Sequence, residues 1–184
     1  LPRKETPAIK EPVVKDVDGD PPNGTYSYSS VIGMMQYLQG HSRPDITYAV
    51  SSCARFVHNT QQSHEIALKR IGQYLKGTLE DGLVLKPDTN HMDIDCYVDS
   101  DFAGLWPWED KTDPSCVKSR MGFVICLANC PSVWKSQLML DISLSTMEAE
   151  CSALSIAMKS VLPLQRLING LAGGIGLIEE RLTS

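Results

Sequence analysis

The sequence has no uninterrupted apolar run near the roughly eighteen residues that a membrane-crossing helix needs. Its start is not a secretory signal either, because Leu1 to Asp20 is charged and proline-rich with no apolar centre. These absences predict an intracellular protein, neither secreted nor membrane-bound, and leave open a cytoplasmic particle or the nucleus. The initiator Met is also missing, which suggests a chain cut from something longer. A basic excess is lacking as well, since the net charge is -5. Modules that coat DNA or RNA by phosphate contacts alone are usually basic, so simple coating is disfavoured. A metal-dependent nuclease is not excluded, because its site gathers carboxylates on purpose. There are six cysteines, but the only close pair, Cys126 and Cys130, has no second pair or nearby histidines to complete a zinc site. Without a secretory context they read as free thiols in a reducing compartment.

What is present is an ordinary soluble composition, 42% hydrophobic and 21% charged over 184 residues, enough for one domain or two small ones. Residues 1–25 hold five of the eleven prolines and few large apolar side chains, so they read as a disordered tail or linker. Asp16, Asp18 and Asp20 resemble the start of a calcium loop, but the closing glutamate and flanking helix are absent. Residues 26–79 read as helical. Val31, Met34, Met35 and Leu38 make one apolar stripe that Gly40 ends. Ser42-Arg43-Pro44-Asp45 can start a second helix with proline in its first turn, and Ile46, Ala49, Val50 and Cys53 continue the stripe. A third helix, from about Ser63 to Lys76, carries Ile66, Ala67, Ile71, Tyr74 and Leu75. Its Lys69, Arg70 and Lys76 suit either a solvated helix face or a nucleic-acid backbone.

After Gly77 the pattern changes. Gly82 to Pro87 reads as a short strand. Asp93 to Asp99 alternates strictly, with Ile94, Cys96 and Val98 on one face. Met121 to Leu127 is a run of strand formers, and Asn129-Cys130-Pro131 is a turn into a further strand, Ser132 to Ser136. A long helix then runs from near Ser145 to about Ile168, disturbed at Pro163. Strands followed by a helix predict an α/β fold over residues 80–184, with helices packed on a mixed sheet. There is no internal repeat.

Two places could carry chemistry. In Tyr97-Val-Asp-Ser-Asp-Phe-Ala-Gly104, Asp99 ends a half-buried strand and Asp101 follows it. Carboxylates leaving a strand end suit Mg²⁺, which prefers oxygen ligands, although Asp and Gly after a strand also make ordinary turns. In the long helix, Met147, Cys151, Leu154, Met158 and Val161 step by threes and fours and predict its buried stripe. Glu150 then lies roughly 60° from the stripe's centre, at the edge of the core, and suits either a ligand or a partnered structural acid. Glu148 lies three residues after Ser145 and fits a helix cap.

Taken together and in order, these segments resemble a known family. Tyr26 to Leu38, Ser42 to Val50 and Leu68 to Thr78 resemble the region after the palm of copia-type reverse transcriptases. Asp99-Ser-Asp-Phe-Ala-Gly104, Lys118-Ser-Arg-Met-Gly-Phe-Val124 and Leu144-Ser-Thr-Met-Glu-Ala-Glu150 resemble the ribonuclease H portion of the same retrotransposon polyprotein. The resemblance implies a ribonuclease H-like mixed sheet with packed helices, preceded by a small helical thumb or connection segment. It implies cleavage of the RNA strand of RNA–DNA hybrids with two Mg²⁺ ions, and the upstream reverse transcriptase palm as partner. Asp99 matches the family's first-strand aspartate and Glu150 its helix glutamate, with Asp101 a further metal candidate. Lys69, Arg70, Lys118, Arg120 and Lys135 are candidates for nucleic-acid contact, as is Trp134 unless it is core.

The match also departs from the pattern. The family's Asp-Asn pair, expected on a strand after the long helix, is not in this sequence, and Glu179 and Glu180 match nothing in the motif. Cys151 stands where an aromatic residue usually follows the helix glutamate. The resemblance therefore implies a truncated domain with weak or no activity. The alternative is a non-catalytic nucleic-acid-binding or scaffolding remnant of a decayed element.

Overall fold

The computed structural model describes residues 2–88 and 93–174, with side chains to residue 171. The expected features at Glu179 and Glu180 lie outside these residues. Four helices and a three-stranded antiparallel sheet make a mixed α/β architecture.

The first part of the chain is helical. Helix α1, Tyr28–His41, starts where the Ser27 hydroxyl accepts a hydrogen bond from the Ser30 N–H at 3.3 Å, which satisfies an otherwise orphaned donor. A short 3-10 turn, Pro44–Ile46, leads into α2, Thr47–Ala54, and α3 follows at Gln62–Gly77. Ile46, Ala49, Val50 and Cys53 are buried as their spacing predicts, together with Tyr28, Ile32, Leu68 and Ile71. Fully burying a side chain such as Ile46 or Leu68 contributes about 2 kcal/mol. The α1 stripe differs by one position: Val31, Met35 and Leu38 pack inward with Tyr28 and Ile32, while Met34 points to solvent. Ile66 of α3 likewise faces out. The Arg43 guanidinium ties the ends of the helices together. It donates to the Asp45 carboxylate at 2.7 and 2.9 Å and to the Thr78 carbonyl and hydroxyl at 2.9 and 2.7 Å.

Residues 2–25 form no helix or strand, yet they lie along this helical unit rather than apart from it. His64, 1% exposed, accepts from the Gln61 N–H through Nδ1, so its Nε2 carries the proton and donates to the Val14 carbonyl at 2.9 Å. Arg70 donates to Thr6, and the Asn23 N–H donates to the Glu65 carboxylate at 3.0 Å. Ala8 and Val13 pack on the helical core. Polar bonds to fixed helix side chains thus hold a segment that has little apolar surface of its own.

The sheet has the order β1-β2-β3, with β1 at Ile94–Asp101, β2 at Arg120–Leu127 and β3 at Cys130–Leu138. Both pairings are antiparallel, so among the described residues the expected mixed sheet is an antiparallel one. The alternation in β1 holds: Ile94, Cys96 and Val98 pack with Met121, Phe123, Ile125 and Met139 beneath α4, Thr146–Gly174. Turn residues Ala128 and Asn129 have φ of 50° and 62°, the left-handed pair that a two-residue hairpin requires. The turn therefore falls one residue earlier than Asn129-Cys130-Pro131. The strand expected over Gly82 to Pro87 does not form. Val84 and Leu85 are exposed, and the segment meets the sheet where the Asp88 N–H donates to the Ala128 carbonyl at 3.0 Å.

In α4 the Ser145 hydroxyl accepts from the Glu148 N–H at 3.1 Å, and the Glu148 carboxylate accepts from the Leu144 N–H at 2.6 Å. The cap expected of Glu148 is present. The buried stripe is not the expected one. Met147, Cys151 and Leu154 are exposed, while Ala149, Ala153 and Ala157 are 1%, 0% and 0% exposed, with Ile156, Val161 and Leu164 beside them. Alanines let the helix backbone approach the pleated sheet closely, and Met147, Cys151 and Leu154 turn outward. Pro163 sits within the helix, which continues past it. No helix among the described residues is long and apolar enough to cross a membrane.

Candidate active site

Asp99 lies on β1 opposite Gly122 of β2, so no side chain stands across the strand pair from its carboxylate. Strand alternation places it on the face away from Val98, and therefore away from α4. That face looks toward α2 across a cleft of about 510 Å³ lined by Pro44, Thr47, Tyr48, Asp99, Trp134 and Lys135 among others. Asp99 is exposed there. The Thr47 hydroxyl at the cleft is buried without a hydrogen-bond partner.

Asp101 is differently placed. Its carboxylate accepts from the Arg120 backbone N–H at 2.5 Å and occupies the space beside Gly104 where any Cβ would lie. The adjoining Ala103 has a φ of 49°, and its N–H donates to the Ser119 hydroxyl at 3.3 Å. In this structure Asp101 closes the turn after β1, and the glycine is required by that close approach.

Glu150 is exposed in the second turn of α4, next to buried Ala149. It belongs to the helix that covers one face of the sheet, whereas Asp99 projects from the other. Among the described residues no three histidine, cysteine, aspartate or glutamate side chains gather closely enough to hold a metal ion. The donor set therefore does not fit two Mg²⁺ ions, which need several oxygen ligands converging on near-octahedral geometry.

The basic candidates are spread over several elements. Lys69 is exposed on α3, and Arg70 is committed to Thr6. Lys118 precedes β2 and is half-buried, while Lys135 reaches the cleft from β3. Arg120 is buried, and its Nη1 donates to the Ser51 hydroxyl at 3.0 Å. Trp134 is partly buried and donates from Nε1 to the Gln39 carbonyl at 2.7 Å, docking the sheet on α1. Sequence reasoning missed the Arg55–Glu109 pair, 2.8 Å apart, whose glutamate side chain is 1% exposed. No local signal joins residues so distant in sequence.

Known proteins supply the context. The chain is 34% identical over 145 residues to the retrovirus-related Pol polyprotein from transposon RE1 of Arabidopsis thaliana, a match covering 79% of this chain and 9% of that protein. It is 33% identical over 144 residues to the Pol polyprotein from transposon TNT 1-94 of Nicotiana tabacum, over 78% of this chain and 10% of that protein. The chain belongs to the copia-type retrotransposon Pol polyprotein family. It spans about a tenth of the length of these Pol relatives. A shorter relative, secreted RxLR effector protein 161 of Plasmopara viticola, is 31% identical over 130 residues, which is 85% of its length. No protein-family model and no solved structure matches this Pol segment.

Proposed function

We propose that this chain is the part of a copia-type Pol polyprotein where the helical end of a reverse transcriptase meets a ribonuclease H-like domain. The helical unit of residues 26–79 corresponds to the first and the sheet with α4 to the second. Three features support this reading: the Pol relatives, the order of the quoted motifs, and the paired positions Asp99 and Glu150. In the polyprotein the substrate is the RNA strand of an RNA–DNA hybrid, Mg²⁺ is the metal, and the reverse transcriptase palm is the partner.

As it stands, the chain has little or no nuclease activity. The observation that carries this conclusion is that no three metal-ligating side chains gather around Asp99 or Glu150 among the described residues. The same lack of a ligand cluster favours the second reading, a non-catalytic segment that binds nucleic acid or its own polymerase. Incubation with a labelled RNA–DNA hybrid and Mg²⁺ tests both. The expected result is no cutting above background. Robust cutting abolished by Asp99→Asn refutes inactivity, and hybrid binding that persists in EDTA supports the second reading.

A further inference from the structure

Arg120 is a buried cation that forms no ion pair among the described residues, with the Asp101 carboxylate acting on it only at longer range. It is 8% exposed, and burial holds its pKa below the usual value, although a guanidinium remains protonated in any protein. Its nearest side-chain groups are the Ser51 hydroxyl at 3.0 Å and the Tyr48 ring, whose centre is 5.2 Å away. Neither carries a negative charge. Asp101 is the acid nearest in the chain fold, but its carboxylate is turned to the Arg120 backbone N–H and to Gly104. Among the described residues no carboxylate lies within ion-pair distance of the guanidinium. Buried charges are normally paired, because leaving water costs several kcal/mol per ion.

Beside this group is a cavity of about 190 Å³, lined in part by Lys10, Tyr48, Ser52, Arg55, Asp101 and Arg120. Arg55 is matched by Glu109 behind it. Setting Lys10 and Arg120 against Asp101 leaves one positive charge in excess. The cavity is far too small for a folded partner and large enough for a tetrahedral oxyanion with a little water.

We propose that this cavity binds a phosphate group, with Arg120 as the buried anchor and Lys10 and Ser52 as further donors. A planar guanidinium offers parallel N–H donors to two phosphate oxygens, which makes arginine the usual choice for such a group. The cavity adjoins the Asp99 cleft, which Tyr48, Asp101 and Arg120 also line, but the proposal does not depend on the nuclease reading. The phosphate can come from a small phosphorylated molecule or from a nucleic-acid chain end or backbone.

Titration calorimetry on the full chain at constant ionic strength tests the proposal, with inorganic phosphate, dT8 and 5′-phosphorylated dT8 as probes. Saturable binding is expected, weakened at least tenfold in Arg120→Met and at least threefold in Lys10→Ala. Lys10 is exposed, so its variant keeps the fold and decides the matter even where Arg120→Met does not. Binding of inorganic phosphate identifies a small-molecule site, whereas binding of the oligonucleotides alone identifies a nucleic-acid phosphate. No saturable binding of any probe overturns the proposal. So does equal affinity in wild type and in both variants, or equal binding of chloride.

Discussion

The Arg55–Glu109 pair joins the helical unit to the loop after β1, and cutting it should be costly. In Glu109→Ala the Arg55 guanidinium, whose side chain is 18% exposed, loses its 2.8 Å partner. Ser115 also loses the carboxylate oxygen that its hydroxyl reaches at 3.3 Å. Removing one partner of a buried pair costs roughly 3–5 kcal/mol, and the lower end applies here. Arg55 still touches water, the Val13 carbonyl at 3.4 Å and the Phe56 ring at 5.0 Å. A loss of about 3 kcal/mol, at a urea m-value of about 2 kcal/mol/M, moves the unfolding midpoint down by about 1.5 M. Replacing both partners, as Arg55→Met with Glu109→Leu, should recover most of that loss, because it leaves no uncompensated charge. Urea denaturation followed by circular dichroism measures all three variants. A Glu109→Ala midpoint within about 0.3 M of wild type, less than 1 kcal/mol at that m-value, refutes the reasoning.

Three further outcomes follow from the structure. Burial alone would raise the Asp45 pKa, but the bonds from Arg43 and Tyr74 outweigh it and hold the carboxyl below its ordinary 3.8. The stability it adds is present above 3.8 and is lost as pH falls through the lower folded value, so Asp45→Asn should cost about 1 kcal/mol at neutral pH and flatten the acid limb of the unfolding curve. Ala153→Leu should destabilise by about 1–3 kcal/mol, because the fully buried alanine leaves no room beneath the helix, while Met147→Ala should stay within about 0.5 kcal/mol; thermal unfolding separates the two. Burial raises the Cys53 thiol to about 11, so at pH 8 a thiol reagent should label exposed Cys151 rapidly and Cys53 only after denaturant is added.

Part of this arrangement was legible because one pattern had one solution. Strict alternation from Ile94 to Val98 could only be a strand with one buried face, and the stripe from Ile46 to Cys53 could only be a helix packed on others. Glu148 was legible as a cap because Ser145 stands at the required spacing. The stripe of α4 was not. Its large apolar residues, Met147, Cys151 and Leu154, have a helical period, but closeness to the sheet selects the small Ala149, Ala153 and Ala157, and size is invisible to a count of apolar positions. In sequence Arg120 is one of several candidate nucleic-acid contacts beside Lys118. Its burial depends on α2 packing against the sheet, a tertiary contact without a local signature. The candidate site shows the same limit: sequence proposed Asp99 and Glu150 by motif, but it could not reveal that no three metal-ligating side chains gather around them among the described residues.

That lack of a converging ligand set is the central claim, and manganese binding tests it most directly. Mn²⁺ substitutes for Mg²⁺ at oxygen ligands, and its paramagnetic resonance signal counts free ions as the protein is titrated. The account predicts no saturable Mn²⁺ site tighter than about millimolar, the weak range expected when few carboxylates converge, and the same curve for wild type, Asp99→Asn and Glu150→Gln. A site of micromolar affinity that disappears in both variants contradicts it, because only carboxylates that converge on one ion could produce that result.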